Sequence, residues 1–199
     1  MWWMPKRFEV LFGEGGAERT AYFNSLGIAL AVIMTVAVGL AAPVMIDWLM
    51  PLEYAPAAGY AVVLVAAAGL KEISELVSIS CLAGKTTGTQ VGINALSAGC
   101  AVVLMLSLAP LYGTWGVCWS LLAAQLVRLL AFALIGQQRH ALPYPSAALL
   151  LLTAVATATL LWSDHRQIDA AYFLLSAASL ALVLFSALAL KLLPLPLIS

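Results

Sequence analysis

The run Lys71-Glu72-Ile73-Ser74-Glu75 interrupts one long apolar stretch, and Gln125 with Arg128 interrupts another. A helix rotates about 100° per residue, so Lys71, Glu72, Ser74, Glu75 and Ser78 share one broad face. Lys71 and Glu75 have the i,i+4 spacing of an intrahelical ion pair. Asn94 and Ser97 add polar groups to a third apolar run. A charge at the centre of a bilayer costs roughly 2.5–3.5 kcal/mol on insertion scales, so such residues face a bundle interior or a wet cavity and have partners. Two chemistries follow, and they overlap. One is a buried ion pair of Glu72 or Glu75 with Arg128, tying two helices together. The other is a polar cavity that meets a charged or sugar-bearing substrate.

The surrounding elements follow from composition. Of 199 residues, 64% are hydrophobic and 9% charged, and the mean hydropathy is +1.04. A soluble domain is about half apolar and about a quarter charged. A soluble protein of this length has too little interior to hide so much apolar surface. Nine basic against nine acidic residues leave no electrostatic footprint for nucleic acid. The expected fold is all-α: a polytopic membrane protein built as a bundle of six transmembrane helices.

A span needs about 20 mostly apolar residues. Six segments qualify: Tyr22 to Ile46, Pro56 to Ala83, Gly88 to Leu108, Thr114 to Gln138, Ser146 to Trp162 and Ala170 to Leu192. Pro51 with Glu53, the Gly84–Gly88 cluster, Pro110–Gly113, Pro143 with Pro145, and Asp164-His165-Arg166 separate them. Proline suits the first turn of a helix and not its interior. The expected organisation is a cytoplasmic segment 1–21, a six-helix lobe 22–192 and a cytoplasmic tail 193–199. Met1 to Thr20 carries Lys6, Arg7 and three glutamates before the first long apolar run, so no secretory signal is expected.

Orientation follows from the basic residues. In the six-span arrangement Lys6, Arg7, Arg19, Lys85, Arg139 and Lys191 share one side, and Arg166 lies on the other. Basic residues are retained on the cytoplasmic side, so both termini are expected there. Asp47, Glu53, Asp164 and Asp169 then mark the outer side. Trp2, Trp3, Trp48, Tyr54, Tyr112, Trp115 and Trp162 sit near span ends, where aromatic rings anchor at the interface. The polar groups of the second, third and fourth spans come to one depth, which predicts a vestibule biased to the cytoplasmic half. The last two spans contain only hydroxyls as polar groups (Thr153, Thr157, Thr159, Ser176, Ser179, Ser186) and read as lipid-facing.

Enzyme chemistry is thin. Gly84-Lys85-Thr86 resembles the end of a phosphate loop, but position 79 is Ile79 where the earlier glycine is required. His140 and His165 fall in loops on opposite sides. Cys81, Cys100 and Cys118 lie inside apolar runs without metal-ligand spacing and read as small buried hydrophobes. No catalytic residue, metal site or cofactor is expected.

Several segments together carry a family resemblance. They are Met1-Trp2-Trp3-Met4-Pro5-Lys6-Arg7-Phe8, then Glu53-Tyr54-Ala55-Pro56-Ala57-Ala58, then Ala83-Gly84-Lys85-Thr86-Thr87, and finally Leu108-Ala109-Pro110-Leu111-Tyr112-Gly113-Thr114-Trp115-Gly116. In this order, across Trp2 to Pro145, they resemble the C-terminal part of polysaccharide biosynthesis flippases. These form the Wzx-like branch of the multidrug/oligosaccharidyl-lipid/polysaccharide exporter superfamily. The resemblance implies one lobe of a MATE-like transporter in the cell inner membrane. Its substrate would be an undecaprenyl-diphosphate-linked oligosaccharide, moved outward for O-antigen or other polysaccharide export. On that reading Lys71 and Arg128 contact the diphosphate, while Gln125 and Asn94 meet sugar hydroxyls. The mixed Lys71, Glu72 and Glu75 cluster departs from the family's cationic cavity. A cation-coupled multidrug exporter is the alternative, with Glu72 and Glu75 binding protons or sodium. A glycan-assembly enzyme or a non-transporting membrane subunit remains a further alternative. The expected partners are the lipid-linked oligosaccharide, membrane lipids, and a missing N-terminal lobe or polysaccharide assembly proteins, with no nucleic acid.

Overall fold

The computed structural model describes residues 9–82, 88–163, 170–190 and 192. Trp2, Trp3, Lys6, Arg7, the Gly84–Thr87 cluster, Asp164, His165, Arg166, Asp169, Lys191 and the tail 193–199 lie outside the described residues, so the expectations placed on them stay as stated. The regular elements are helices: α1 (Gly16–Leu49), α2 (Ala57–Val77), α3 (Ile79–Leu82), α4 (Gly88–Tyr112), α5 (Thr114–Arg139), α6 (Ser146–Ser163) and α7 (Ala170–Ala189). A 3-10 turn, Leu52–Tyr54, follows Pro51. Among the described residues there is no strand.

Four helices are long and apolar enough to cross a membrane: α1, α4, α5 and the Tyr172–Ala189 part of α7. The apolar part of α6, Ser146–Leu161, is shorter. The chain is thus a helical membrane protein. At about 1.5 Å per residue, the 34 residues of α1 extend about 51 Å, well beyond a hydrocarbon core of about 30 Å.

Several boundaries differ from the sequence expectation. Helix α1 begins at Gly16, ahead of Tyr22, because Thr20 and Ala21 are already buried against protein. Helix α4 runs past Leu108 to Tyr112 and includes Pro110 in its last turn. The second span is broken at Ser78. There the Ser74 hydroxyl donates to the Lys71 carbonyl and the Ser78 hydroxyl to that of Glu75, each at 2.7 Å. Serine side chains that bond back along the chain compete with the helical ladder. The amide of Cys81 accordingly bonds Ser78 three residues back, at 3.0 Å.

The described chain divides into two compact units. The first holds residues up to Ile28 together with Leu70–Pro145, and the second holds Ala29–Gly69 and the residues from Ser146 onward.

In the first unit α4 and α5 form a helical hairpin turned on Gly113, whose φ of 58° suits glycine. Its amide closes α4 on the Ala109 carbonyl at 2.8 Å. Gly116 lets the start of α5 press on the end of α4, since a Cβ there would overlap the Leu108 carbonyl. Helix α3 packs on α5, and Gly136 provides the room for Ser80. Prolines 143 and 145 keep 140–145 extended between α5 and α6.

In the second unit α6 packs on α7. Gly39 meets Leu160, and Gly69 meets Thr35. The Tyr172 hydroxyl donates to the Leu40 carbonyl at 2.9 Å.

Candidate functional site

Arg128 is the centre of the polar constellation. It lies in the middle of α5 and is only 8% exposed. Its Nη2 meets Glu75 Oε1 of α2 at 2.5 Å, and its Nε donates to Asn94 Oδ1 of α4 at 2.9 Å. The Phe132 ring, one turn further along α5 and fully buried, underlies the guanidinium at 5.5 Å from the ring centre. Phe132 is itself held by Cys81 and Ile93, so the base of the site is apolar and fixed. Beside this cluster the Ser97 hydroxyl donates to the Ala124 carbonyl at 2.9 Å, which sets the register of α4 on α5.

Three of the six residues singled out from the sequence therefore come together: Glu75, Asn94 and Arg128. Of the two carboxylates weighed as the partner of Arg128, it is Glu75 that makes the contact. Gln125, one turn before Arg128, keeps a buried Oε1 with no hydrogen-bond partner among the described residues. Lys71 and Glu72 are exposed on the same helix, and among the described residues neither forms an ion pair with Arg128. The three helices α2, α4 and α5 do share a polar level, as the sequence predicts.

The electrostatics of this group are asymmetric. A planar guanidinium has five N–H donors, and two of its nitrogens are engaged. Nη1 makes no hydrogen bond among the described residues. The cation is buried, whereas Asn94 is exposed and the Glu75 side chain is 29% exposed. The arrangement offers a held positive charge with a partly exposed carboxylate and an exposed amide beside it. That is suited to anion contact and to hydroxyl recognition.

A second polar cluster was not singled out from the sequence. Asn24 of α1 is fully buried and donates through Nδ2 to the Leu76 carbonyl and to the Tyr144 hydroxyl, each at 3.1 Å. Thr20, one turn earlier, and Ser80 of α3 are buried too, and Thr20 Oγ1, Asn24 Oδ1 and Ser80 Oγ lack hydrogen-bond partners among the described residues. Tyr144 reaches the cluster because Gln137 clamps Leu142, donating to its carbonyl at 3.1 Å and accepting from its amide at 3.2 Å. Leu142 then packs with Leu11, Ala21 and Ile79. Burial raises the Tyr144 phenol above its ordinary 10.0, an effect partly offset by Asn24 and the nearby Ser80 hydroxyl. The available signal was the one-turn spacing of Thr20 and Asn24 at the start of the first long apolar run.

Among the described residues no group of three His, Cys, Asp or Glu side chains is placed to hold a metal ion. The class defined by fold and site is a helical membrane protein with a buried arginine–glutamate ion pair between helices. Comparison with protein-family models, curated proteins and solved structures gives no significant match.

Proposed function

We propose that the chain is one lobe of a flippase for lipid-linked, diphosphate-bearing oligosaccharides, acting in polysaccharide export across the cell inner membrane. The observation that carries this reading is Arg128, a guanidinium buried at mid-helix with one terminal nitrogen unengaged. Charge so placed is costly in a membrane and marks a substrate or ion pathway. The ordered sequence segments that resemble Wzx-like flippases supply the substrate class. On this reading all six apolar segments cross the membrane, with both termini cytoplasmic, and the lobe works with a second lobe or with assembly proteins. Arg128 contacts the diphosphate, Asn94 and Gln125 meet sugar hydroxyls, and Lys71 and Glu72 line the approach.

A second reading rests on Glu75. A partly exposed carboxylate near the end of α2, held against a buried arginine, also suits a cation-coupled multidrug exporter.

The test is surface polysaccharide in cells lacking the gene and supplied with wild-type or Arg128→Ala chain at matched membrane level. The flippase reading expects restored export with the wild type and strongly reduced export with the variant. Equal export by both would remove Arg128 from the substrate path. Dye or drug efflux that follows Glu75→Gln, with polysaccharide unchanged, would favour the exporter.

A further inference from the structure

The Arg128–Glu75 contact has the form of a placeholder. It joins one carboxylate oxygen to one guanidinium nitrogen, although the guanidinium fork is built for two parallel bonds. Nη1 is left over. The carboxylate is the more exposed partner, at 29% against 9% for the arginine side chain. An incoming anion therefore meets Glu75 before it meets Arg128.

We propose that Glu75 is a resident substitute for the substrate's anion, holding Arg128 until a diphosphate headgroup displaces it. The inference rests on the flippase reading above and specifies how that same site is controlled. An unpaired buried arginine is strongly unfavourable, so the empty site needs a counter-charge of its own. A diphosphate presents several oxygens, engages Nη1 and Nη2 together, and so replaces a single bond with a fork. The displaced carboxylate has a place to go: Lys71 lies one turn back on the same helix and is exposed. Asn94 carries no charge, so it fixes Nε in both states without competing for the site. Phe132 holds the guanidinium plane from below throughout.

The surrounding charges are compatible with this exchange. On α2 they are Lys71 and Glu72, both exposed; α4 carries none; α5 adds only Arg139 near its end. Helix α1, joined to α2 through Asn24, bears Glu18 and Arg19, both exposed in its first turns. An uncharged lipid cannot displace a carboxylate from an arginine, so the exchange also selects for anionic headgroups.

The test is equilibrium binding of a fluorescent prenyl-diphosphate-linked N-acetylglucosamine to the purified full chain in nanodiscs. Glu75→Gln keeps a carbonyl for Arg128 but removes the competing charge. If the site is free only about one-tenth of the time in the wild type, that variant binds about 10-fold more tightly. Asn94→Asp adds a second resident anion and weakens binding, a change opposite in sign that general damage to the fold does not mimic in Glu75→Gln. Arg128→Ala loses binding. Unchanged or weaker binding by Glu75→Gln, or unchanged binding by Asn94→Asp, overturns the substitution role while loss in Arg128→Ala leaves the flippase site standing. Wild-type-like binding by Arg128→Ala, or no binding by any form, overturns the reading of the site and this inference with it.

Discussion

The two units handle polarity differently. Among the described residues, the first unit buries Thr20, Asn24, Ser25, Ser74, Ser78, Ser80, Ser97, Ser120 and Arg128, and the second buries Thr159. In the first unit Ser25, Ser74, Ser78 and Ser120 bond back along the chain, and other polar side chains bridge helices: Asn24 to Leu76, Ser97 to Ala124, and Arg128 to both Glu75 and Asn94. In the second, Thr35, Thr153, Thr157, Thr159 and Ser186 bond carbonyls three or four residues back on their own helices. Tyr172 bridges to the Leu40 carbonyl there. A hydroxyl satisfied within its own turn lets a helix sit in lipid without a partner, whereas a group that bridges helices fixes a geometry. The first unit thus holds a specified polar site, and the second is packed mainly through apolar and small residues.

Substitutions can break or sharpen that contrast. The largest effect is expected in the first unit from Glu75→Ala. It leaves Arg128 buried without its counter-charge, and removing one partner of a buried pair costs on the order of 3 kcal/mol. Reversible unfolding in mixed micelles measures it, and a loss below that of an exposed threonine substitution would contradict the bridging role. Next is a pair of glycines. Gly116→Ala drives a Cβ onto the Leu108 backbone, which cannot yield, and overpacking of this kind costs about 1–3 kcal/mol. Gly39→Ala in the second unit meets only the flexible end of Leu160, so its loss should be clearly smaller by the same assay.

Smaller effects follow. Asn24→Ala strips both Nδ2 bonds and should cost about 1–3 kcal/mol, whereas Thr157→Val in the second unit should lie within about 0.5 kcal/mol of wild type. The smallest expected effect is alkaline. The folded-state Tyr144 phenol ionises above its ordinary 10.0, so its contribution to stability is complete below that value and is lost as pH rises through the higher folded value. Tyr144→Phe should therefore flatten the loss of stability with pH above 10.0; an unchanged slope would mean that the phenol titrates as if solvated.

Much of the fold was legible because hydrocarbon imposes simple rules. The turn at Gly113 and the stops at Pro143 and Pro145 are local, and the sequence placed α5 and α6 to within a residue or so. The break at Ser78 was not legible, because a serine can bond backward inside an intact helix or interrupt one, and packing decides between them. The level shared by Glu75, Asn94 and Arg128 could be read from depth. The choice of Glu75 over Glu72 could not, since residues three apart lie on the same side and only the placement of α5 separates them. Asn24 and Tyr144 were missed because their partnership spans 120 residues and needs the Leu142 clamp to form.

The most direct test of the central claim is transbilayer movement in proteoliposomes. Wild-type and Arg128→Ala chains, each reconstituted at equal folded density with any required second lobe, would be compared for outward transfer of a labelled prenyl-diphosphate oligosaccharide. The account predicts transfer by the wild type and its collapse toward the protein-free rate in Arg128→Ala. Equal transfer by the two chains would contradict it.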